Sequence, residues 1–215
     1  MFIKLSKTKK MPCKSFSLPV REEICKGMID LSTNEMKDVC KGCYAKKGFY
    51  NMPTVTKPRE DNYTLSMKID FTENMIKEIN NDLYFRWFDS GDIYSQEFLE
   101  KVLEVCKKTP YTNHWIPTKS RDLFYNRTWR ELEALSNVKV RFSSPNINGH
   151  YANWHGSTVY TDNDQLDSNT FACRATTIMV NKKNKKGVFE LKPRGTCDNC
   201  RACWHNDKVI AYKLH

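Results

Sequence analysis

Cysteines are the residues best suited to chemistry in this chain, which has nine of them among 215 residues. Cys25, Cys40 and Cys43 form a first group, with fourteen residues between the first two and two between the last two. A Cys-x-x-Cys pair lets two thiolates reach one metal from a single turn, and the loop before it can supply a third. The spacing therefore predicts a metal site near the N-terminal end.

Three thiolates can hold an iron–sulphur cluster and leave one iron open for a substrate or cofactor. We therefore predict an iron–sulphur cluster on Cys25, Cys40 and Cys43, with the neighbouring Tyr44 shielding it from water. Two structural alternatives stay open at this point. One is a closed zinc site with Cys13 as the fourth ligand, and the other is a redox dithiol.

A second group of cysteines lies near the C-terminal end. Cys197, Cys200 and Cys203 are each separated by two residues, a spacing typical of iron–sulphur and of zinc sites. A fully ligated site needs four ligands, and Cys173 is the predicted fourth, with His205 and His215 as competitors. We expect either a second cluster or zinc here. Cys106 follows the apolar spacing of a helix and is predicted to be a core residue.

These groups need a scaffold, and the middle of the chain predicts one. Strand-like residues 84–88, 114–116 and 138–142 alternate with helical patterns over residues 95–106, with Ser95 as the cap, and 129–135. The patterns also predict a first strand over residues 15–20, a short helix capped by Thr33 or Asn34, a helix over residues 71–83 and strands at 157–161 and 176–180. This order is typical of βαβ units and a parallel sheet. The predicted fold is α/β, a partial (β/α) barrel of about six mainly parallel strands with cysteine-rich N- and C-terminal segments. We expect one domain over residues 1–215, with 170–215 as a C-terminal metal-binding segment.

Polar turns follow two of these strands, at residues 89–92 and 118–121. Ligands bind at the carboxyl ends of the strands in such folds. The predicted catalytic residues are Asp89, Asp92 and Lys119. The predicted cofactor-binding residues are Tyr44, Ser90, Lys119 and Arg121. The alternative for the two aspartates is an Asx turn that only shapes the loop.

The positive charge is concentrated near the two ends. The formal net charge is +10, and residues 1–60 hold 13 Lys and Arg against 6 Asp and Glu, while residues 181–208 hold 8 against 3. This favours a nucleotide or nucleic acid as partner, although lysine-rich usage alone also explains it. The basic run 181–187 is predicted to be a solvated turn between two strands or a phosphate-contacting loop. Trp154 and His155 are predicted either to stack a base or to form a packed lid.

Nothing in the sequence predicts a membrane span, because no apolar run approaches the roughly 18 residues that crossing a bilayer needs. No secretory h-region follows the basic N-terminus. We therefore expect the protein in the cytoplasm, where disulfides are rare and clustered cysteines more often bind metal.

Several motifs together resemble the bacteriophage gene-product-88 proteins. They are Phe-Ser-Leu-Pro at 16–19, Cys-Lys-Gly at 25–27, Cys-x-x-Cys-Tyr-Ala at 40–45, Arg-Trp-Phe-Asp-Ser-Gly-Asp at 86–92, Cys-x-x-Cys-Arg-Ala-Cys-Trp at 197–204 and the closing residues 211–215. The resemblance covers nearly the whole chain. It implies a phage protein that works in the host cell cytoplasm.

The strand end at residues 118–120 with the helix and strand that follow also resembles the barrel of radical S-adenosylmethionine enzymes of the spore-photoproduct-lyase type. That resemblance implies a 4Fe-4S cluster on Cys25, Cys40 and Cys43, S-adenosylmethionine at its open iron and a partner that reduces the cluster. The usual first gap there is three residues, whereas it is fourteen here. We expect a radical enzyme that modifies a nucleotide or nucleic-acid base.

Two other functions remain open. Residues 89–92 resemble the Asp-Ser-Gly-Gly element of tRNA-guanine transglycosylases, which implies base exchange with Asp89 as the catalytic residue and a structural zinc. The third function is non-catalytic, a metal-stapled protein whose basic ends bind nucleic acid.

Overall fold

A computed structural model describes residues 2–7, 10–149, 156–162 and 166–214. The strands are β1 (Lys14–Phe16), β2 (Tyr84–Trp87), β3 (Asn113–Thr118), β4 (Val138–Ile147), β5 (Ser157–Tyr160), β6 (Thr170–Ala172), β7 (Met179–Lys183), β8 (Phe189–Pro193) and β9 (Val209–Lys213). The helices are α1 (Asp38–Lys41), α2 (Pro53–Ser66), α3 (Phe71–Ile79), α4 (Gln96–Lys108), α5 (Asn126–Glu133), α6 (Arg174–Thr177) and α7 (Ala202–His205).

Seven strands form one sheet in the order β1-β2-β3-β4-β5-β9-β6, and every described pairing in it is parallel. The predicted α/β class and parallel sheet are confirmed. The sheet is open, because within the described ranges β1 and β6 lie at its two edges and do not pair with each other, so no closed barrel forms. At the β1 edge, Ser15 forms only an isolated antiparallel bridge to Ser6. It has one strand more than the predicted six, and β7 and β8 form a separate antiparallel hairpin.

Helix α4 shows why the predicted βαβ units form. Ser95 caps it, because its hydroxyl accepts a hydrogen bond of 3.1 Å from the amide of Phe98. The buried face of the helix includes Phe98, Leu99, Val102, Leu103 and Cys106. This face packs on the sheet between β2 and β3, and the prediction that Cys106 is a core residue is confirmed.

The two faces of the sheet are covered differently. Phe85 and Trp87 of β2 face the large apolar core beneath α3, α4 and α5. The alternate residues Tyr84 and Arg86 face a smaller cluster on the other side, because successive side chains of a strand point to opposite faces. That cluster consists of Cys13, Trp115 and Trp204, with Met11, Tyr84, Cys203 and Tyr212 packed against it. The C-terminal cysteine segment therefore covers one face of the sheet.

Several predicted boundaries are wrong. The first strand stops at Phe16 although alternation extends to residue 20. The helix expected to follow Thr33, Asn34 and Glu35 begins only at Asp38. The helix over residues 71–83 ends at Ile79, because Asn80 adopts a left-handed conformation with φ 43°. The strand expected at 176–180 is split between the end of α6 and the start of β7.

The turn predicted within residues 181–187 does connect two strands, β7 and β8. Trp154, His155 and His215 lie outside the described residues. None of the described helices combines the length and the apolar character that crossing a bilayer requires.

Candidate functional site

The loop that carries Cys25 is pressed onto the carboxyl end of β3. A short 3₁₀ turn (Lys26–Met28) follows Cys25, and Gly27 lies against the backbone of Lys119. A Cβ atom at Gly27 would come within 2.7 Å of the Lys119 carbonyl carbon, a distance that real Cβ atoms essentially never show. Only glycine therefore allows this close approach, which fixes Cys25 at the edge of the sheet.

Cys40 and Cys43 reach the same place from α1. Cys40 is buried together with Cys25 and Met28, whereas Cys43 is partly exposed, with its amide bonded to the Cys40 carbonyl at 3.2 Å. Burial raises the pKa of Cys25, and the charges of Asp92, Cys43 and Cys40 raise it further. Burial also raises the pKa of Cys40. The Cys25 thiol is affected by the charges of Cys43 and Cys40, the Cys40 thiol is affected by the charge of Cys43, and Cys25 packs with Cys40, so the structure brings the predicted trio together.

Holding a metal ion requires a closer arrangement of ligand side chains than this proximity of the three thiols. No three His, Cys, Asp or Glu side chains in the described part of the chain are arranged to hold a metal ion. Cluster binding by Cys25, Cys40 and Cys43 therefore stays a prediction. Cys13, the fourth ligand in the zinc alternative, packs in another cluster with Trp115 and Trp204 and does not join the trio.

Asp92 joins the ends of β2 and β3. One carboxylate oxygen accepts hydrogen bonds from the Thr118 hydroxyl at 2.7 Å and the Ile93 amide at 2.8 Å, and the other accepts from the Lys119 amide at 2.8 Å. Burial raises the pKa of Asp92, although these hydrogen bonds oppose the shift. Both oxygens are thus engaged within the fold, and Asp92 positions Lys119.

Ser90 and Gly91 join β1 to β2 in a similar way. The Ser90 hydroxyl donates to the Leu18 carbonyl at 2.9 Å, and the Leu18 amide donates to the Ser90 carbonyl at 2.9 Å. Gly91 has φ +80° and lies against Leu18, where no Cβ fits. The hydroxyl of Ser90, which we predicted to bind a cofactor, is engaged in this contact.

Asp89 belongs to a network with two tyrosines and an arginine. Its carboxylate accepts from Arg86 at 2.9 Å and from the Tyr50 hydroxyl at 2.9 Å, and its carbonyl accepts from the Tyr44 hydroxyl at 2.5 Å. Burial disfavours the charged form of Arg86 and so lowers its pKa. The neighbouring Tyr44 and Asp89 together have the larger opposite effect, so the pKa of Arg86 is raised overall. The residue Tyr44 is 54% exposed, while its hydroxyl is enclosed by this network. The guanidinium of Arg59 lies 4.4 Å from the Tyr50 ring centroid.

Tyr50 and Arg59 were missed by the sequence analysis. Neither lies in a motif. Tyr50 reaches Asp89 only because the cysteine segment folds back over the strand ends, and Arg59 packs on the ring of Tyr50.

A cleft of about 330 Å³ opens beside the cysteines at the carboxyl ends of β3 and β4. Its charged lining consists of three positive residues, Lys37, Lys119 and Arg121, and two negative ones, Asp30 and Asp122. The guanidinium of Arg121 lies 4.9 Å from the ring centroid of Phe142, which also lines the cleft. The ammonium of Lys37 donates to the Lys119 carbonyl at 3.3 Å.

Lys119 and Lys37 connect this cleft to the trio. The positive charges of both lysines lower the pKa of Cys40 against the larger effect of burial. The predicted residues Lys119 and Arg121 therefore line one cleft, and Lys119 lies within electrostatic reach of the cysteines.

The C-terminal cysteines also gather around one another. Cys173 follows β6, and its amide bonds to the Ala211 carbonyl of β9 at 2.8 Å. Burial raises the pKa of Cys197, and the charges of Cys173 and Cys200 raise it further. Burial also raises the pKa of Cys203 to about 12, although the Tyr212 hydroxyl, 3.4 Å from its sulphur, opposes this.

Two further residues bear on the ligand set of this group. Cys13 lies near Cys197. Burial raises the pKa of Cys13 to about 12, and the charge of Cys197 contributes a smaller part of this rise. The ring of His205 packs on Tyr84, and its Nε2 lies 3.2 Å from the Tyr84 hydroxyl. His205 is thus engaged by Tyr84, and Cys173 is the candidate that joins the three spaced cysteines.

Arg141 holds this segment on the sheet and was also missed. It is fully buried in β4 and donates to the backbone carbonyls of Ala202 at 2.9 Å, Cys203 at 2.8 Å, Asn206 at 2.6 Å and Lys208 at 3.1 Å. Burial lowers the pKa of Arg141. The sequence did carry a sign of it, a charged residue between the apolar residues Val140 and Phe142.

Comparisons with known proteins give one match. The family model described as Gene product 88 matches residues 3–206. No curated protein and no solved structure matches the chain.

Proposed function

The chain belongs to the phage gene product 88 family, and we propose that it is an iron–sulphur enzyme that modifies a nucleotide or a nucleic-acid base. One observation carries the proposal. The thiols of Cys25, Cys40 and Cys43, which come from two separate segments, gather at the carboxyl edge of a parallel sheet beside a cleft that contains Lys119 and Arg121. Ligands bind at this edge in open α/β sheets.

The surroundings of the trio suit a cluster that is reached from one side. Cys25 and Cys40 are buried while Cys43 is partly exposed, so a bound cluster would have an apolar side and an accessible side. Lys37 and Lys119 supply positive charge that offsets the thiolates.

A cluster with an open iron, when bound, supplies one electron for reductive cleavage of a cofactor, which requires an external reductant. The co-substrate that we propose is S-adenosylmethionine. This chain's own residues position the reactants. Asp92 fixes the backbone of Lys119, and the Asp89 network fixes Tyr44 next to Cys43.

The cleft is the proposed substrate site. Lys119 and Arg121 are suited to pair with a phosphate, and Phe142 supplies an aromatic surface beside them. Asp30 and Asp122 at the same cleft are acceptors for ribose hydroxyls or for exocyclic amines of a base. This combination of groups matches a nucleotide.

The second proposed site consists of Cys173, Cys197, Cys200 and Cys203. Four cysteines leave no open position, so this site would be structural or would transfer electrons. Iron–sulphur and zinc both suit four thiolates. The cytoplasm of the host cell is the proposed location, where thiols stay reduced.

Anaerobic purification tests the proposal. Protein from iron-replete cells should be brown, with broad absorbance near roughly 400 nm and several irons per chain. The variant Cys25→Ala/Cys40→Ala/Cys43→Ala should lose the irons of one cluster, whereas Cys106→Ala, a cysteine in the core, should lose none. After reduction, only chains with the trio should cleave S-adenosylmethionine.

A colourless protein that contains only zinc would contradict the proposal and favour the transglycosylase or the non-catalytic function. Equal iron in the triple variant and in the wild type would contradict the assignment of the ligands.

A further inference from the structure

The hairpin of β7 and β8 stands apart from the sheet and presents an unusual surface. Its cross-strand pairs place Lys183 opposite Phe189 and Asn181 opposite Leu191, so these four side chains share one face. Phe189 is 68% exposed and Leu191 is 66% exposed. A lone two-stranded hairpin is only marginally stable in water, so the large apolar side chains on its face normally pack against another part of the fold.

The hairpin is also strongly basic. Residues 179–194 contain six Lys and Arg and one Glu. Lys182 donates to the carbonyls of Pro193 and Arg194, and Lys192 pairs with Glu190. By contrast, the described residues offer no ion-pair partner to Lys183, Lys185 or Lys186.

The tip is held in one conformation. The Asn184 side chain accepts from the amides of Lys186 at 2.9 Å and Val188 at 3.0 Å, and Gly187 provides the left-handed residue with φ +86°. Lys185 and Lys186 are therefore presented by an ordered turn next to the exposed ring of Phe189. Preorganised cations beside an aromatic ring are the combination that binds single strands, with lysines at the phosphates and a base stacked on the ring.

We propose that this hairpin binds single-stranded nucleic acid, with Lys183, Lys185 and Lys186 at phosphates and Phe189 stacked on a base. The inference rests on the nucleic-acid substrate of the proposed function and names the element that binds its strand outside the cleft. Lys183, Lys185 and Lys186 complement a polyanion, and an exposed aromatic ring favours a strand whose bases are unstacked.

Fluorescence anisotropy of a labelled single-stranded oligonucleotide tests this on the full chain. Lys183→Ala/Lys185→Ala/Lys186→Ala should weaken binding at least about tenfold at moderate salt and reduce the slope of log affinity against log salt by about two. The matched control Lys57→Ala/Lys68→Ala/Lys77→Ala removes the same charge from α2, the following turn and α3, and should leave affinity unchanged.

Phe189 separates stacking from charge. Phe189→Ala should weaken single-strand binding by about 5- to 100-fold, and Phe189→Leu should weaken it nearly as much, because leucine keeps the apolar area but has no aromatic face. A duplex of the same sequence should bind the wild type more weakly than the single strand does. Equal binding of duplex and single strand, or full affinity in Phe189→Ala, would overturn the stacking contact.

Equal losses in the two triple variants would also overturn the inference, because charge at any position would then be sufficient. The iron content of the same preparations separates this inference from the proposed function. Chains that carry iron but bind no oligonucleotide overturn the hairpin site alone. Chains that bind the oligonucleotide through the hairpin but carry no iron support the hairpin site and overturn the enzyme.

Discussion

The two cysteine groups meet the same sheet in different ways. Cys25, Cys40 and Cys43 lie at its carboxyl edge, beside a cleft and two lysines. The C-terminal cysteines lie on a segment that covers one face of the sheet, where Arg141 fixes the backbone around Cys203. An edge leaves room for a ligand, whereas a covered face does not. Similar Cys-x-x-Cys spacing therefore meets different surroundings, depending on where the fold places it.

Changing Arg141 tests the covered face and should have the largest effect. Arg141→Met leaves several buried carbonyls without their donor, so the free energy of unfolding should fall by about 3–5 kcal/mol. Chemical denaturation measures this. Lys139→Met, on the same strand, removes an ion pair with Asp207, whose side chain is 78% exposed, and should change stability by less than about 1 kcal/mol. Similar losses in both variants would contradict the role of Arg141.

Strand β3, which lies between the two cysteine groups, provides a pH test through its buried residue His114. Burial lowers the pKa of His114 to about 4, and the ring accepts from Trp87 and contacts the Thr109 hydroxyl in its neutral form. The folded state resists protonation, so this contribution is fully present above pH 6.5 and is lost as pH falls toward 4. Relative to His114→Gln, the wild type should lose about 3 kcal/mol of unfolding free energy over that range. Parallel pH profiles of the two proteins would contradict a neutral, buried His114.

At the edge, Gly27 provides a sharper test of position. Gly27→Ala places a methyl group against the Lys119 backbone, which should cost about 1–3 kcal/mol and move Cys25 away from its partners. The amount of iron bound at the trio should decrease together with the free energy of unfolding. Gly42→Ala is the matched control, because nothing lies within 4 Å of a Cβ there. A Gly27→Ala protein with full stability and full iron would contradict the close packing of this loop.

The smallest expected effect is in the Asp89 network. Tyr50→Phe removes one hydrogen bond to the Asp89 carboxylate, while Arg86 still pairs with it, so stability should fall by about 0.5–1.5 kcal/mol. Thermal or chemical unfolding measures the change. Tyr111→Phe, at a residue that is 80% exposed, should be neutral. A neutral Tyr50→Phe would show that this hydrogen bond does not hold the cysteine segment over the edge.

The sequence predicted those elements whose buried faces are apolar. Helix α4 was predicted from its cap at Ser95 and its regular apolar residues, and both are confirmed. Helix α2 was missed because its buried residues are Arg59, Asn62 and Ser66, which leave no apolar period to read. Asn62 is buried because it bonds to the backbone of Lys4 and Ser17. Such partners are distant in sequence, so a local pattern cannot predict them.

The same reason limits the prediction of the site. Residues 89–92 and 118–121 were correctly placed at strand ends, because parallel strands bring their carboxyl ends to one edge. The roles of single side chains were harder to predict. The carboxylate of Asp92 and the hydroxyl of Ser90 are engaged by neighbouring loops, and only the folded chain brings those loops into contact.

We propose that the trio at the edge holds a cluster with one open iron, independently of the C-terminal cysteines. Mössbauer spectroscopy of iron-57 in the anaerobic variant Cys173→Ala/Cys197→Ala/Cys200→Ala/Cys203→Ala is the test of this assignment. We predict roughly four irons per chain, one of them distinct from the others and shifted when S-adenosylmethionine is added. A folded variant that retains no iron, or whose irons are all alike and do not respond, would contradict the claim.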